Sequence, residues 1–292
     1  MFDNLLIHPR THKQLERFIA KPSHGLILVG PEGSGKRTLA NYVASGILKI
    51  STDKLARYPY FSLTNPDDPT ITIDEIRALQ RLLTLKIPSK NEAVIKRVLT
   101  VIDAGRMRFE AQNSFLKSLE EPPTDTCIIL TAEANGDLLE TIYSRVQRID
   151  VMPVSESMAR SYYSKKGISE LEITKNYALS QGQAGLLNSL LTSESSHPLK
   201  VKVELAKKLL SIPAGERILQ TDIFSKDKVE LGLLINAFGR ISNAALNSAV
   251  KAGNEAAYKR WKNGLLAVQN ANFAMSHNAN AKLLLDNLLL SI

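Results

Sequence analysis

The fold of this chain is constrained most by a short apolar run that leads into a glycine-rich loop and then into a helical pattern. The run Gly25–Gly30, "GLILVG", is apolar throughout, as in a strand buried on both faces of a sheet. The segment "GPEGSGKRTLA" follows, and it predicts a helix whose first backbone N–H groups can surround an anion. A strand, a glycine-rich loop and a helix in this order are the context that a phosphate-binding loop requires.

The loop departs from the phosphate-binding pattern at one position. G-x-x-x-x-G-K-[ST] is matched by Gly30, Gly35 and Lys36, but Arg37 replaces the hydroxyl residue that holds magnesium in active nucleotide hydrolases. Thr38 cannot easily replace it, because one helical step rotates a side chain by about 100°. The predicted loop residues are Gly30, Pro31, Glu32, Gly33, Ser34, Gly35, Lys36, Arg37 and Thr38.

Further apolar runs and helical patterns alternate through the first half of the chain. Buried strands are predicted at Val98–Asp103 and Cys127–Ala132, and helices at Lys36–Ile50, Thr72–Leu85 and Phe109–Glu121. This alternation predicts an α/β fold with a parallel sheet covered on both faces. Ligands of such sheets bind at the carboxyl ends of the strands, where Gly30, Asp103 and Thr131 fall.

After about Pro153 the sequence predicts helices alone. We expect domains at residues 1–153, 154–194 and 195–292, with the polar segment Ser193–Pro198 as a linker. The apolar tail "AKLLLDNLLLSI" predicts an all-helical third domain with a role in self-association, because such helices require another surface to pack on.

Composition narrows the class of protein. The chain has 292 residues, a net charge of +8 and one cysteine, Cys127. A single cysteine excludes an intrachain disulfide and a cysteine-cluster zinc site, so we expect no metal and a cytoplasmic location. The positive charge favours an acidic partner such as nucleic acid. No apolar run reaches the roughly 18 residues of a membrane span, so no membrane partner is expected.

Asp103 ends the run "VLTVID", the arrangement in which a strand-end carboxylate helps to hold magnesium. Ala104 follows where many nucleotide hydrolases have a water-polarising Glu. A strand-end acid that caps the next turn is an equally good interpretation of Asp103.

Several segments in order carry a family resemblance: "ITIDEIRALQ", "VLTVIDAGRM", "AQNSFLKSLEEPP" and "IILTAEANGDLLETIYSR". With them the chain resembles the delta-prime family of bacterial DNA polymerase III clamp-loader subunits, in the AAA+ superfamily of P-loop NTPases. The resemblance implies a nucleotide-binding domain, a small helical lid and a helical collar that joins five subunits in a ring. It also implies gamma/tau-type and delta subunits as partners, together with the sliding clamp and primer–template DNA.

Comparison with the family pattern indicates what this chain's departures from the motifs of active subunits imply for its function. Active subunits carry GKT or GKS, DEA and a lid segment G-x-x-R, where this chain has Arg37, Ala104 and Gly185. Asp103 and Thr131 would then be a degenerate Walker B acid and sensor. The segment "YSRVQ" retains Arg145, which the family uses as an arginine finger toward a neighbouring subunit's phosphates. The expected function is therefore that of a non-hydrolysing clamp-loader subunit that requires no cofactor.

Three points stay open at this level. The sequence does not decide whether the loop still binds ATP or ADP without hydrolysing it. A first alternative is an active AAA+ ATPase of gamma/tau type that draws its catalytic carboxylate from Glu110. A second is a stand-alone DNA-binding protein that uses Arg106 and Arg108, although no common DNA-reading motif is present.

Overall fold

The computed structural model describes residues 4–64, 70–87, 95–133, 138–192, 198–218, 227–277 and 279–292. These residues form two compact units. The first unit is Met1–Ser155 together with Gln183–Gly185, and the second is Glu156–Gly182 together with Leu186–Ile292. The division into three domains stays a prediction, and residues 193–197 of the predicted linker lie outside the described residues.

A five-stranded parallel sheet forms the centre of the first unit, with strand order β2-β3-β4-β1-β5. Its strands are β1 (Gly25–Val29), β2 (Phe61–Thr64), β3 (Arg97–Val101), β4 (Thr126–Ala132) and β5 (Gln147–Asp150). Its helices are α1 (Pro9–Ala20), α2 (Lys36–Leu48), α3 (Thr52–Leu55), α4 (Ile73–Thr84), α5 (Phe109–Glu120) and α6 (Glu140–Tyr143), with a 3-10 turn at Ala104–Arg106.

Helices cover the sheet on both faces, as the alternation of runs predicted. In β4, Cys127 and Ile129 pack into one apolar cluster with residues of α1 and α2. Ile128 and Leu130 pack into another with residues of α4 and α5. Every residue of β1, β3 and β4 is buried as a result. Burial also raises the pKa of the Cys127 thiol to about 12.

The predicted helices of the first unit are present, and their ends have local causes. The hydroxyl of Thr72 accepts a hydrogen bond from the Glu75 N–H, and the Glu75 carboxylate accepts one from the Thr72 N–H, so this capping box starts α4 at Ile73. Helix α5 ends at Glu120, shortly before Pro122. Helix α2 stops at Leu48, two residues earlier than predicted, because Lys49 adopts a left-handed conformation.

The described residues of the second unit contain helices and their connections, and no strand. Its helices are α7 (Glu156–Ser164), α8 (Glu170–Ser180), α9 (Ala184–Leu191, whose first two residues belong to the first unit), α10 (Pro198–Ser211), α11 (Ala214–Ile218), α12 (Lys228–Lys251), α13 (Glu255–Ser276) and α14 (Ala281–Ser291). Helix α12 packs against α10 and α13. The core includes Phe238 of α12 and Leu285 of the predicted apolar tail, both fully buried. Among the described residues, no helix is long and apolar enough to cross a membrane.

A buried arginine joins the ends of two helices in the second unit. Arg217 is 7% exposed, and its guanidinium donates to three backbone carbonyls. Nε bonds Ile212 O at 2.9 Å, Nη1 bonds Leu289 O at 3.2 Å, and Nη2 bonds Leu210 O at 3.3 Å. Because the last carbonyls of a helix have no partner within it, Arg217 satisfies groups at the ends of α10 and α14.

We expect Arg217→Met to lower the free energy of unfolding of the second unit by about 2–3 kcal/mol, because it removes hydrogen bonds from a charged donor to buried carbonyls. Urea unfolding followed by fluorescence of Trp261, the single tryptophan, which packs on the core of this unit, measures the change. Lys207→Met is the control, since Lys207 forms an exposed pair with Glu204. Equal transitions for the two variants would contradict the role of Arg217.

Candidate functional site

The predicted loop connects β1 to α2 at the carboxyl end of the sheet. Gly33 and Gly35 have φ angles of 83° and 93°, which favour glycine. Gly35 is the N-cap of α2, and no side chain caps the helix there. Gly30, Gly33, Ser34 and Lys36 are buried, Glu32 and Gly35 are half-buried, and Pro31, Arg37 and Thr38 are exposed.

Lys36 is bound by the loop that it belongs to. Its ammonium donates to Gly30 O at 2.6 Å and to Pro31 O at 3.1 Å, and only 8% of the residue is exposed. Burial lowers the pKa of Lys36, and the nearby acids Glu133, Asp103 and Glu32 partly offset this effect. The charge therefore has carbonyl partners within the loop.

Gly185 lies directly on the same loop, within the first unit. A Cβ atom added to Gly185 would be 2.8 Å from Gly33 O and 2.9 Å from both Cα and N of Gly35. Distances this short to backbone atoms leave no room for any side chain. Gly185 is the position at which the family pattern G-x-x-R has its arginine, so the missing sensor coincides with close backbone packing.

Asp103 and Thr131 lie at the carboxyl ends of the neighbouring strands β3 and β4, where the structure brings them together. The Asp103 N–H donates to Thr131 Oγ1 at 2.9 Å. Asp103 has φ 50° and ψ 53°, a left-handed conformation that is uncommon for residues other than glycine. Its carboxylate lies 3.6 Å from Nη2 of Arg106, and the next residue, Ala104, is fully buried. The sequence analysis missed this ion pair, although the spacing of three residues in "DAGR" is a signal for it.

Arg145 follows α6 and precedes β5, and its contacts lie away from the loop. Nη1 donates to Thr141 O at 2.9 Å and to Ser144 Oγ at 3.3 Å, and Nη2 donates to Glu120 Oε1 at 2.6 Å. About a third of the side chain is exposed. Arg145 is therefore an ordered surface group, and its partner Glu120 was not foreseen from the sequence.

The structure also shows where the residues lie that the two alternative functions would use. Glu110 is exposed in the first turn of α5. Arg108 is exposed, whereas Arg106 is engaged with Asp103. Both arginines line an open cavity of about 620 Å³ with Phe109.

Comparison with known proteins decides the family. Residues 7–155, which are 149 of the 292, match the family described as DNA polymerase III, delta subunit. The chain belongs to this family. It is 24% identical to DNA polymerase III subunit delta' of Bacillus subtilis (strain 168), covering 98% of this chain and 96% of the relative. It is 26% identical to DNA polymerase III subunit delta' of Haemophilus influenzae, covering 55% and 52%. The family resemblance is confirmed.

The fold also has a close counterpart among solved structures. A DNA polymerase III gamma subunit-related protein from Thermotoga maritima superposes with a TM-score of 0.55 at 20% identity, covering 96% of this chain and 97% of that one. The predicted fold class, an α/β domain with a parallel sheet followed by helices, is confirmed.

We call the loop closed because Lys36 bonds two of its carbonyls and Gly185 packs on its backbone. We expect Gly185→Ala to destabilise this closed loop by about 1–3 kcal/mol, because the added methyl group must displace loop backbone. Hydrogen exchange of the amides in residues 30–36 should become faster. Gly215→Ala is the matched control, since a Cβ there meets nothing within 4 Å. Unchanged loop exchange in Gly185→Ala would show that Gly185 does not pack on the loop in solution.

Proposed function

We propose that this chain is a non-hydrolysing subunit of the DNA polymerase III clamp loader. In this role it supplies a structural surface and a trans arginine finger for ATP-dependent loading of the sliding clamp onto primed DNA in the cytoplasm. The observation that carries the proposal is the closed loop, in which Lys36 bonds two loop carbonyls and Gly185 packs on the backbone.

The argument against hydrolysis combines three positions. Arg37 removes the magnesium hydroxyl, and Ala104 removes the carboxylate that would orient water. The remaining acid, Asp103, forms an ion pair with the guanidinium of Arg106 at 3.6 Å. For these reasons the role requires no cofactor and no metal. Binding of ATP or ADP would first require Lys36 to exchange its carbonyl partners for phosphate oxygens.

The proposed finger role of Arg145 is supported by the chemistry of its guanidinium and by its exposure at the surface. Arg145 is ordered at the surface of the first unit, and a guanidinium stays charged and offers a planar fork of donors. These properties suit an arginine that neutralises charge on the phosphates of a neighbouring subunit. Arg148, on β5, pairs with Asp150 at 2.8 Å and provides a comparison at a similar exposure.

Assembly is proposed to involve the helical region after residue 195. Large apolar side chains stay exposed there although the unit has its own buried core, and they include Leu266, Phe273, Leu283 and Leu290. Exposed apolar groups of this size favour protein contacts. We propose gamma/tau-type and delta subunits as the partners, with the clamp and primer–template DNA contacted in the assembled complex.

The purified chain is expected to show no ATP hydrolysis above background, because the metal ligand and the water-orienting carboxylate are absent. The measurement is steady-state phosphate release by the full chain, with Lys36→Ala as the control for a contaminating ATPase. Turnover by the wild type that disappears in Lys36→Ala would instead support the active gamma/tau-type alternative.

Arg145→Ala should leave folding and assembly unchanged and should lower ATP hydrolysis by the reconstituted loader with clamp and DNA. The effect should be about 10³- to 10⁵-fold at the one site that Arg145 completes, so total turnover falls only partly. Arg145→Lys should rescue poorly, because an ammonium lacks the planar fork.

Arg148→Ala is the matched control for Arg145→Ala and should behave like the wild type. If Arg145→Ala also hydrolyses ATP and loads clamps like the wild type, the finger role is wrong. If in addition the chain alone binds primed DNA tightly in a manner that depends on Arg108, the DNA-binding alternative gains support.

A further inference from the structure

The contact between Arg145 and Glu120 joins residues that are 25 positions apart in the sequence. Glu120 is the last residue of α5, and Arg145 follows α6. Their 2.6 Å separation is that of a short charge-assisted hydrogen bond between a guanidinium and a carboxylate. Neither group is buried, since the side chain of Glu120 is 48% exposed and that of Arg145 is 32% exposed.

We propose that Glu120 is the counter-ion that holds Arg145 in the unassembled chain and competes for it with the phosphate of the neighbouring subunit. This inference rests on the proposed finger role of Arg145. In the assembled complex the guanidinium must exchange an anionic oxygen of Glu120 for an anionic oxygen of the nucleotide. Glu120 therefore lowers the fraction of complexes in which Arg145 contacts the neighbour's phosphates, and so restrains hydrolysis at that site.

The N–H groups that Arg145 can donate support competition between Glu120 and a phosphate. A guanidinium has five N–H groups, and Nη1 already bonds Thr141 O and Ser144 Oγ within the preceding turn. Nη2, at the free end of the side chain, is bound by Glu120. A carboxylate and a phosphate use the same donors and repel each other, so both cannot bind this end at full strength.

The exposure of the Arg145–Glu120 ion pair determines how much its loss changes the engagement of Arg145 with a phosphate. Ion pairs at a surface are weak, and loss of one changes a population by about 1.5- to 5-fold. A bond of this strength orders the guanidinium in the free chain, and a phosphate with its larger charge displaces it. Glu120 thus acts on the fraction of complexes in which the finger is engaged.

The test is Glu120→Gln in the reconstituted loader, with gamma-type and delta subunits of the same source, clamp and primed DNA. Hydrolysis of ATP at the one site that Arg145 completes should rise by about 1.5- to 5-fold, and total turnover by less, because the amide no longer holds the guanidinium by charge. Glu120→Asp keeps the charge and should stay closer to the wild type. Glu121→Gln is the matched control, since it makes the same charge change at the next residue, which is exposed and has no described side-chain contact with Arg145.

Double variants separate this inference from the proposed function. Adding Glu120→Gln to Arg145→Ala should change nothing further, because Glu120 acts only through Arg145. If Arg145→Ala lowers hydrolysis but Glu120→Gln leaves it unchanged or lowers it, the counter-ion role is wrong and the finger role stands. If Arg145→Ala has no effect, the finger role fails first. A rise that persists in the double variant, or that Glu121→Gln reproduces, would also overturn the role of Glu120.

Discussion

Burial of the sheet on both faces is the constraint on which the rest of the first unit depends. Each residue of β1, β3 and β4 is buried, so charged groups near the sheet can be placed only where the strands end. The loop after β1, Asp103 after β3 and Thr131 in β4 therefore meet at one edge.

Two charged groups at this edge, Lys36 and Asp103, are paired within the chain. Lys36 would reach a phosphate in an active loop, and here it bonds Gly30 O and Pro31 O. Asp103 would hold magnesium, and here it faces Arg106. A buried ammonium without partners is costly, and the two loop carbonyls supply acceptors for Lys36.

The sequence predicted the parts of the fold whose signal is local. Fully apolar runs located β1, β3 and β4, and helix patterns ended by caps and prolines located α2, α4 and α5. The edge strands β2 and β5, "FSLT" and "QRID", were missed because they are short and carry no apolar run; the residues of β2 are half-buried, and those of β5 are mostly exposed. In the site, the strand ends predicted where the loop, Asp103 and Thr131 lie, but not the hydrogen bond between Asp103 and Thr131. The packing of Gly185 and the pairing of Glu120 with Arg145 depend on tertiary approach, which residue spacing cannot encode.

The partners of Arg145 differ from those of the arginines that are buried in this chain. Arg97 and Arg217 are almost fully buried and donate to backbone carbonyls near helix ends, Leu83 and Leu85 for Arg97 and Leu289 among others for Arg217. Those acceptors are neutral and fixed, so an exchange would leave buried groups unsatisfied.

Arg145 has the opposite surroundings. Water reaches both members of its ion pair, so the guanidinium can leave Glu120 without stranding a buried group. An arginine that must move between two anions during a catalytic cycle requires such a weak and exchangeable partner. Burial of the acceptor, more than the number of hydrogen bonds, therefore separates Arg145 from the arginines that hold the fold together.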